Sequence, residues 1–408
     1  MSRRVVITGM GAISPFGQGV PSLWKHMSAG DSAIVKTPNS LSLEGLRCRV
    51  AALVPKLNVK SIDRKKKRFM SAMSIYATLA AQEAIKDAAL NDIQINSRTT
   101  GLSFASTMGS SDEFEKFFSS LLKEYDIGKI KSTMFFKTMN HSCAANAAQA
   151  LGVRGRVIAP SAACASGTLS IGLAYEAVAA GYQDIMIAVG ADEYHCLTTA
   201  VFDIMNAASC EFNESPTSTP KPFDVDRDGV VCSEGAGAIV LESLESALGR
   251  NAKIFAEVGG FSTFSSPLDI ANPDHITMID CIEATLDQAK VSPGNVDYIN
   301  AHATATTNGD IAETKAVEMA LGADMKISSL KGHIGHAMAA SGAIELIVSI
   351  LMMNNSLLLP TRNLVNVDEA CGKLHYLKTA HKGEIKTILK NSFALGGINS
   401  TLLINKYI

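Results

Sequence analysis

Three short segments carry the residue types that acyl chemistry needs. In Ala159-Pro-Ser-Ala-Ala-Cys-Ala-Ser-Gly-Thr168, Cys164 stands between a strand-like run and an Ala-, Leu- and Gly-rich helical stretch. That order places Cys164 at a strand-to-helix turn. A helix N-terminus offers unpaired N–H groups and partial positive charge, which favour a thiolate and can hold an oxyanion. The small neighbours Ala163, Ala165, Ser166 and Gly167 let a substrate approach closely. Cys48, Cys143, Cys196, Cys210, Cys232, Cys281 and Cys371 lack this setting and read as structural.

The other two segments are Asn300-Ala-His-Ala-Thr-Ala-Thr-Thr-Asn-Gly-Asp310 and Ser328-Ser-Leu-Lys-Gly-His-Ile-Gly-His-Ala337. Each follows a strand-like run and precedes a helix. Polar residues at the ends of buried strands, drawn from separate parts of a chain, suit a shared site. His302 and His336 could both donate to a carbonyl oxygen that becomes an enolate. Lys331 would fix the local charge, with Glu313 as its ionic partner. Asp310 reads as a cap for the helix after His302. His333, between Lys331 and His336, reads as a supporting residue.

These segments need a scaffold of strands that end at one place. Apolar and β-branched runs recur at Val5–Thr8, Gly101–Ser106, Arg156–Pro160, Asp184–Val189 and Ala236–Leu241. The pattern restarts at Lys253–Val258, Val296–Ala301, Lys326–Ser329, Thr387–Lys390 and Thr401–Ile404. Helical spacing marks Ser71–Ala89 and Met278–Lys290 between them. Strands alternating with helices predict an α/β fold with buried sheets. We expect two similar halves, residues 1–250 with the nucleophile and residues 251–408 with both histidines. Ser110–Thr138 and Phe202–Phe223 read as insertions of the kind that carry functional loops.

Composition narrows the function classes. The 408 residues are 47% hydrophobic and 19% charged, with a net charge of −2. Nothing global points to nucleic acid or a membrane surface. The longest apolar segment, Ala343–Met353, contains Glu345 and Ser349 and reads as a buried helix. The eight cysteines show neither C-x-x-C pairs nor zinc-ligand spacing, so a reducing cytoplasmic compartment is expected. The start of the chain lacks the apolar stretch of a signal peptide. Local charge is another matter, because Asp63-Arg-Lys-Lys-Lys-Arg68 gathers five cations.

Taken together, these motifs resemble the elongating β-ketoacyl-acyl-carrier-protein synthases of dissociated fatty acid and polyketide systems. The likeness spans essentially the whole chain. It includes VVITGMGAISPFG near the start, Asp63-Arg-Lys with Arg68-Phe-Met-Ser71, and the Ala-Cys-Ala-Ser-Gly turn. Lys221-Pro-Phe-Asp-Val-Asp-Arg-Asp-Gly229, Glu234-Gly-Ala-Gly237, the two histidine motifs and Asn391-Ser-Phe-Ala-Leu-Gly-Gly397 complete it. The resemblance implies a thiolase-like fold, two halves in five α/β/α/β/α layers, usually dimeric. It implies that Cys164 takes an acyl group from a carrier-protein thioester. The N–H groups of Cys164 and Leu395 would form the oxyanion hole. His302 and His336 would bind the malonyl thioester as carbon dioxide leaves, with Lys331 and Glu313 organising the site. Arg64, Lys65 and Arg68 would dock the acidic carrier protein. No organic cofactor and no metal are expected.

Some positions depart from the family pattern. Ala303 replaces a frequent Gly, Leu395 a usual Phe, and Ile398 a Thr. Asn300, Glu345 and Asn399 match positions that line a monovalent-cation site in some relatives, where a Ser is Lys390 here. The Lys390 ammonium could take the ion's place. Leu395, smaller than Phe, could open the acyl pocket or alter its gating. Thiolases need a second cysteine where this chain has His336, and starter-unit synthases use a His/Asn pair. Non-catalytic chain-length factors lack the nucleophile. The partner in a dimer would be a second copy or such a Cys-less homologue. A cysteine hydrolase would not need two histidines and a lysine.

Overall fold

Eight elements occur twice in the same order. First come β1 (Val5–Ser14), α1 (Ala72–Asp87), β2 (Thr100–Ala105), α2 (Ser142–Leu151), β3 (Val157–Ile158), α3 (Ser166–Ala179), β4 (Ile185–Asp192) and β5 (Gly235–Ser243). Then follow β6 (Ala256–Ser265), α4 (His275–Ala289), β7 (Tyr298–Asn300), α5 (Thr307–Leu321), β8 (Lys326–Ser328), α6 (Ala339–Asn354), β9 (Thr387–Phe393) and β10 (Ile398–Asn405). This is a computed structural model, and it describes residues 2–38, 41, 43–126, 128, 130–268, 270 and 272–408.

The strand orders match as well: β3-β2-β4-β5-β1 in the first set and β8-β7-β9-β10-β6 in the second. In both sets the first three strands run parallel and the last two antiparallel to their neighbours. A three-residue antiparallel contact from Val5↔Val258 to Ile7↔Ala256 joins β1 to β6. α1 packs with α2 outside the first sheet, and α4 with α5 outside the second. α3 and α6 lie together between the sheets. The result is the five-layered thiolase-like arrangement expected from the sequence.

Side-chain chemistry explains which helices take the centre. A helix that is apolar all round must be buried on every face. In α6, 14 of 16 residues are buried, and Glu345 is its one charged residue. This is the segment expected to be a buried helix. Among the described residues no helix is long and apolar enough to cross a membrane. The N-terminal turns of α3 and α6 meet backbone to backbone. A Cβ at Gly167 would lie 2.1 Å from the Ala339 carbonyl oxygen, and one at Gly342 would lie 2.4 Å from Thr168 Oγ1. Only glycine permits that approach.

Element ends differ from the sequence expectation where tertiary pairing decides them. The strand expected at Lys253–Val258 runs from Ala256 to Ser265, because β10 pairs with it as far as Ser265. Asp310 does not cap α5. Thr306 holds the N-cap position, and Asp310 lies inside the first turn, accepting from Phe223 N at 2.8 Å and Ala305 N at 3.2 Å. The segment expected as an insertion at Ser110–Thr138 folds into helices Ser111–Glu124 and Ser132–Thr138. Ser110 starts the first of these by accepting from Glu113 N.

Candidate active site

The turns before α3 and α6, the turn after β7 and the β9–β10 hairpin converge on one cavity of about 400 Å³. Cys164, His302, His336, Glu313 and Leu395 all line it. Cys164 sits just before the N-cap of α3, after Ala163, whose φ of 45° is unusual for a residue with a side chain. Ser166 Oγ locks that bend by accepting from Ala162 N at 2.7 Å and donating to Ala163 O at 2.6 Å. The thiol is 6% exposed.

His302 and His336 face the sulfur. One ring nitrogen of each, together with Cys164 Sγ, forms a set whose atoms all lie within 4.8 Å of one another. The two rings meet edge to face with centroids 5.2 Å apart. His336 Nδ1 lies 3.0 Å from Ser341 Oγ, which already accepts from Ala337 N at 2.8 Å. The hydroxyl hydrogen is therefore free to point at Nδ1, which leaves the proton of a neutral ring on Nε2. His336 Nε2 is buried and has no hydrogen-bond partner among the described residues. It is a donor held ready for something that enters the cavity.

The protonation states differ from the expectation of a thiolate. Burial pushes the Cys164 thiol up to about 11. The Lys331 ammonium and the N–H groups of Leu395 and Cys164 itself act in the opposite direction, but burial outweighs them. Both histidines are driven well below their ordinary value, first by burial and then by Lys331. The resting site thus holds a thiol beside two neutral imidazoles. Such a pair can accept the thiol proton during attack and donate hydrogen bonds afterwards. Cysteine with two histidines is also a soft-metal donor set. Here the protonated thiol and the nearby lysine ammonium groups oppose a cation.

Lys331 is fully buried, as expected of a site residue, but its partner is not Glu313. Its Nζ meets Glu345 Oε1 at 2.7 Å. Glu313 instead holds the His302 turn, accepting from His302 N at 2.8 Å and Ala303 N at 2.7 Å. Asn391 Nδ2 reaches the same carboxylate at 3.2 Å. Burial raises the Glu313 carboxyl, against the pull of those N–H donors. Backbone anchoring thus decided where Glu313 points, and the apolar helix α6 supplied the counter-ion for Lys331.

Leu395 belongs to the hairpin turn Ala394–Gly397, and its backbone N–H is among the groups that pull the Cys164 thiol down against burial. Gly396 and Gly397 have φ of 92° and 77°, which a side chain would resist. Gly396 N is tied to Ile270 O at 3.0 Å, and the Leu395 side chain is 39% exposed at the cavity mouth. His333 points elsewhere, with Nδ1 2.9 Å from Asp31 O. Arg64, Lys65 and Arg68 are exposed and do not line the cavity. They sit on and beside the one-turn helix Arg64–Lys67, which the Asp63 carboxylate caps.

Two family models cover most of the chain: the β-ketoacyl synthase N-terminal domain over residues 2–247 and its C-terminal domain over residues 255–365. The chain belongs to the β-ketoacyl synthase family. It is 34% identical over 410 residues to 3-oxoacyl-[acyl-carrier-protein] synthase 1 of Haemophilus influenzae, covering 99% of each. A β-ketoacyl synthase crystal structure from Burkholderia phymatum superposes with a TM-score of 0.96 at 37% identity, covering all of both chains. The ishigamide ketosynthase/chain length factor structure does so with a TM-score of 0.94 at 29% identity, again over all of both chains.

Within this β-ketoacyl synthase, sequence reasoning passed over Asp192, Ser341 and Asn391. Asp192 ends β4 and is fully enclosed. It accepts from Ser106 Oγ at 2.7 Å, Thr107 Oγ1 at 2.6 Å and Ala339 N at 2.7 Å. Thr107 Oγ1 also lies 3.3 Å from Ala163 O. One carboxylate therefore braces the bend before Cys164 and the start of α6 together. Burial pushes its carboxyl up to about 6, with the Thr107 and Ser106 hydroxyls opposing. The signal was visible: a lone acid at the end of Ile-Met-Ile-Ala-Val-Gly-Ala-Asp, an otherwise apolar strand.

Proposed function

We propose that this protein joins an acyl group held on Cys164 to a malonyl unit through a carbon–carbon bond. The observation that carries the reading is the cluster of Cys164 Sγ with one ring nitrogen each of His302 and His336 within 4.8 Å, in the cavity that Leu395 also lines. Cys164 Sγ attacks the carbonyl of an acyl-carrier-protein thioester while a neutral imidazole takes the thiol proton. The N–H groups of Cys164 and Leu395 hold the developing oxyanion, and the carrier thiol leaves. In the second half-reaction the bond from the malonyl carbon to its carboxylate breaks. The electron pair passes toward the thioester oxygen, where His302 and His336 donate. The freed carbon then attacks the acyl-Cys164 carbonyl, and the C–S bond breaks to restore the nucleophile. No oxidant or organic cofactor enters that balance.

In this reading residues 1–250 supply the nucleophile and residues 251–408 the decarboxylation donors. Glu313 and Lys331 act as positioning residues. Arg64, Lys65 and Arg68 receive an acidic carrier protein, as their exposure on one short helix allows. The functional unit is a dimer, with a second copy or a Cys-less homologue. Eight free cysteines favour the cytoplasm. Acyl- and malonyl-carrier proteins, the unaltered chain and Cys164→Ala, followed by intact-mass measurement, test the reading. An acyl adduct on the unaltered chain alone, with a β-ketoacyl product, supports it. Equal adducts on both proteins, or hydrolysis without condensation, would overturn it.

A further inference from the structure

α3 is buried on most of its faces, so each hydroxyl it carries has to find a partner. Its serine and threonine hydroxyls go three ways. Ser166 locks the bend before the helix. Ser170 Oγ donates to Ser103 O at 2.6 Å and lies 2.9 Å from Ser103 Oγ, which ties α3 to β2 of the first sheet. Thr168 Oγ1 lies 2.7 Å from Ser392 Oγ on β9, in the second sheet. Thr168 and Ser392 are both fully buried. Among the described residues theirs is the one side-chain hydrogen bond between α3 and β9. A neighbour sets its direction. Lys390 Nζ, paired with Glu345 Oε2 at 2.8 Å, lies 3.4 Å from Ser392 Oγ. An ammonium can only donate, so it takes a lone pair on Ser392 Oγ, and the serine proton is left for Thr168 Oγ1.

This bond spans the two parts that must meet for acyl transfer. Thr168 follows Cys164 by four residues, about one helical turn. Ser392 precedes Leu395 by three and is the last residue but one of β9. Beyond it comes the turn Ala394–Gly397, where two left-handed glycines supply no side chains to fix the backbone. The outer ties of that turn are Gly396 N to Ile270 O at 3.0 Å and Ser266 N to Gly397 O at 2.9 Å. Both run to the chain that follows β6, and neither reaches the helix of the nucleophile. Apolar packing is non-directional, so alone it would hold β9 near α3 without fixing the register between them. A hydrogen bond fixes both distance and angle. We propose that Thr168 and Ser392 are a pair of positioning residues that set the Leu395 turn against Cys164 and so govern the rate of acyl transfer to the sulfur. The kinetic part rests on the function proposed above, whereas the positional part does not.

Thr168→Val keeps the shape and removes the acceptor, Thr168→Ser keeps the acceptor, and Ser392→Ala removes the donor. Hydrogen–deuterium exchange of the backbone tests position without any turnover. Thr168→Val and Ser392→Ala should speed exchange in the Ala394–Gly397 turn about tenfold and leave β2 and β4 unchanged. Thr168→Ser should match the unaltered protein. Kinetics then separates positioning from general damage. Acylation of Cys164 by S-hexanoyl-N-acetylcysteamine develops an oxyanion, whereas alkylation by iodoacetamide does not. Thr168→Val and Ser392→Ala should each acylate about tenfold more slowly at saturating thioester, with KM within about twofold, and alkylate at the unaltered rate. The double variant should lose no more than either single one, since both remove the same bond. Equal exchange in the turn across the unaltered protein and all variants would overturn the proposal. So would acylation and alkylation slowing together, or losses that add in the double variant. If the unaltered protein takes no acyl group while the turn responds as described, the proposed reaction fails and the positioning pair stands.

Discussion

The turn before α3 and the turn before α6 occupy equivalent places in the duplicated fold, yet they do opposite kinds of work. Both follow the corresponding strand, β3 or β8, and both have a positive φ just before the helix, 45° at Ala163 and 49° at Met338. The first presents Cys164 among small apolar residues. The second presents His336, whose ring is held by Ser341. One scaffold position thus holds a nucleophile that needs little around it. Its twin holds a donor kept neutral first by burial and then by the ammonium groups of Lys331 and Lys390. Position in the fold sets where a side chain points, and the company it keeps sets what that side chain can do.

The sharpest way to break this contrast is to remove the donors. His302→Ala or His336→Ala should slow malonyl decarboxylation by about 10²- to 10³-fold, and acylation of Cys164 by much less. Carbon dioxide release and intact mass read the two steps separately, and equal losses would erase the distinction between the turns.

The second measurement concerns the thiol alone. With its proton held up to about 11, Cys164 should react with iodoacetamide faster by roughly tenfold per pH unit between pH 7 and 9. A plateau below pH 8 would mean that the first turn holds a thiolate after all. Next comes the contact that joins the turns. Gly342→Val forces a side chain toward Thr168 and should cost about 1–3 kcal/mol of stability, visible as a lower urea midpoint. No change would show that the helix pair yields easily.

Smaller effects lie outside the pair. Arg64→Glu with Lys65→Glu should raise the KM for carrier-bound substrate about fivefold at low salt, and less at high salt. Small thioester mimics should be unaffected. Leu395→Phe should slow acylation by bulky or rigid primers about twofold more than by short saturated ones, since it narrows the mouth of the cavity. A uniform effect across primers would assign Leu395 to loop shape alone.

How much of this was legible in the sequence divides along the same line. Strand-ending motifs are local, so Cys164, His302, His336 and the two α/β halves could be read from periodicity and turn chemistry. The partner of Lys331 could not. Glu313 was the nearer guess because it follows a histidine motif, whereas Glu345 sits inside an apolar helix where charge looks like an interruption. Only folding reveals that the interruption is where two lysines meet. The thiol's state was misjudged for a related reason. A helix N-terminus can be read from sequence, but the burial that outweighs it is a property of the assembled layers. Asp192 stands out as a lone acid ending an apolar strand, but which two turns it braces is fixed only by the assembled fold.

The glycine contact between α3 and α6 also separates what can vary from what cannot. The gap between sulfur and imidazole is set by how closely two helices abut, and both helices are sealed beneath the sheets. Phe202, Met205, Ile270 and Leu395, which also line the cavity, come from the end of the helix Cys196–Ile204 and from turns at the cavity rim. A descendant of this protein can therefore change its cargo by editing the rim while its chemical centre keeps the same calibration. Specificity and reactivity are inherited here as separable traits.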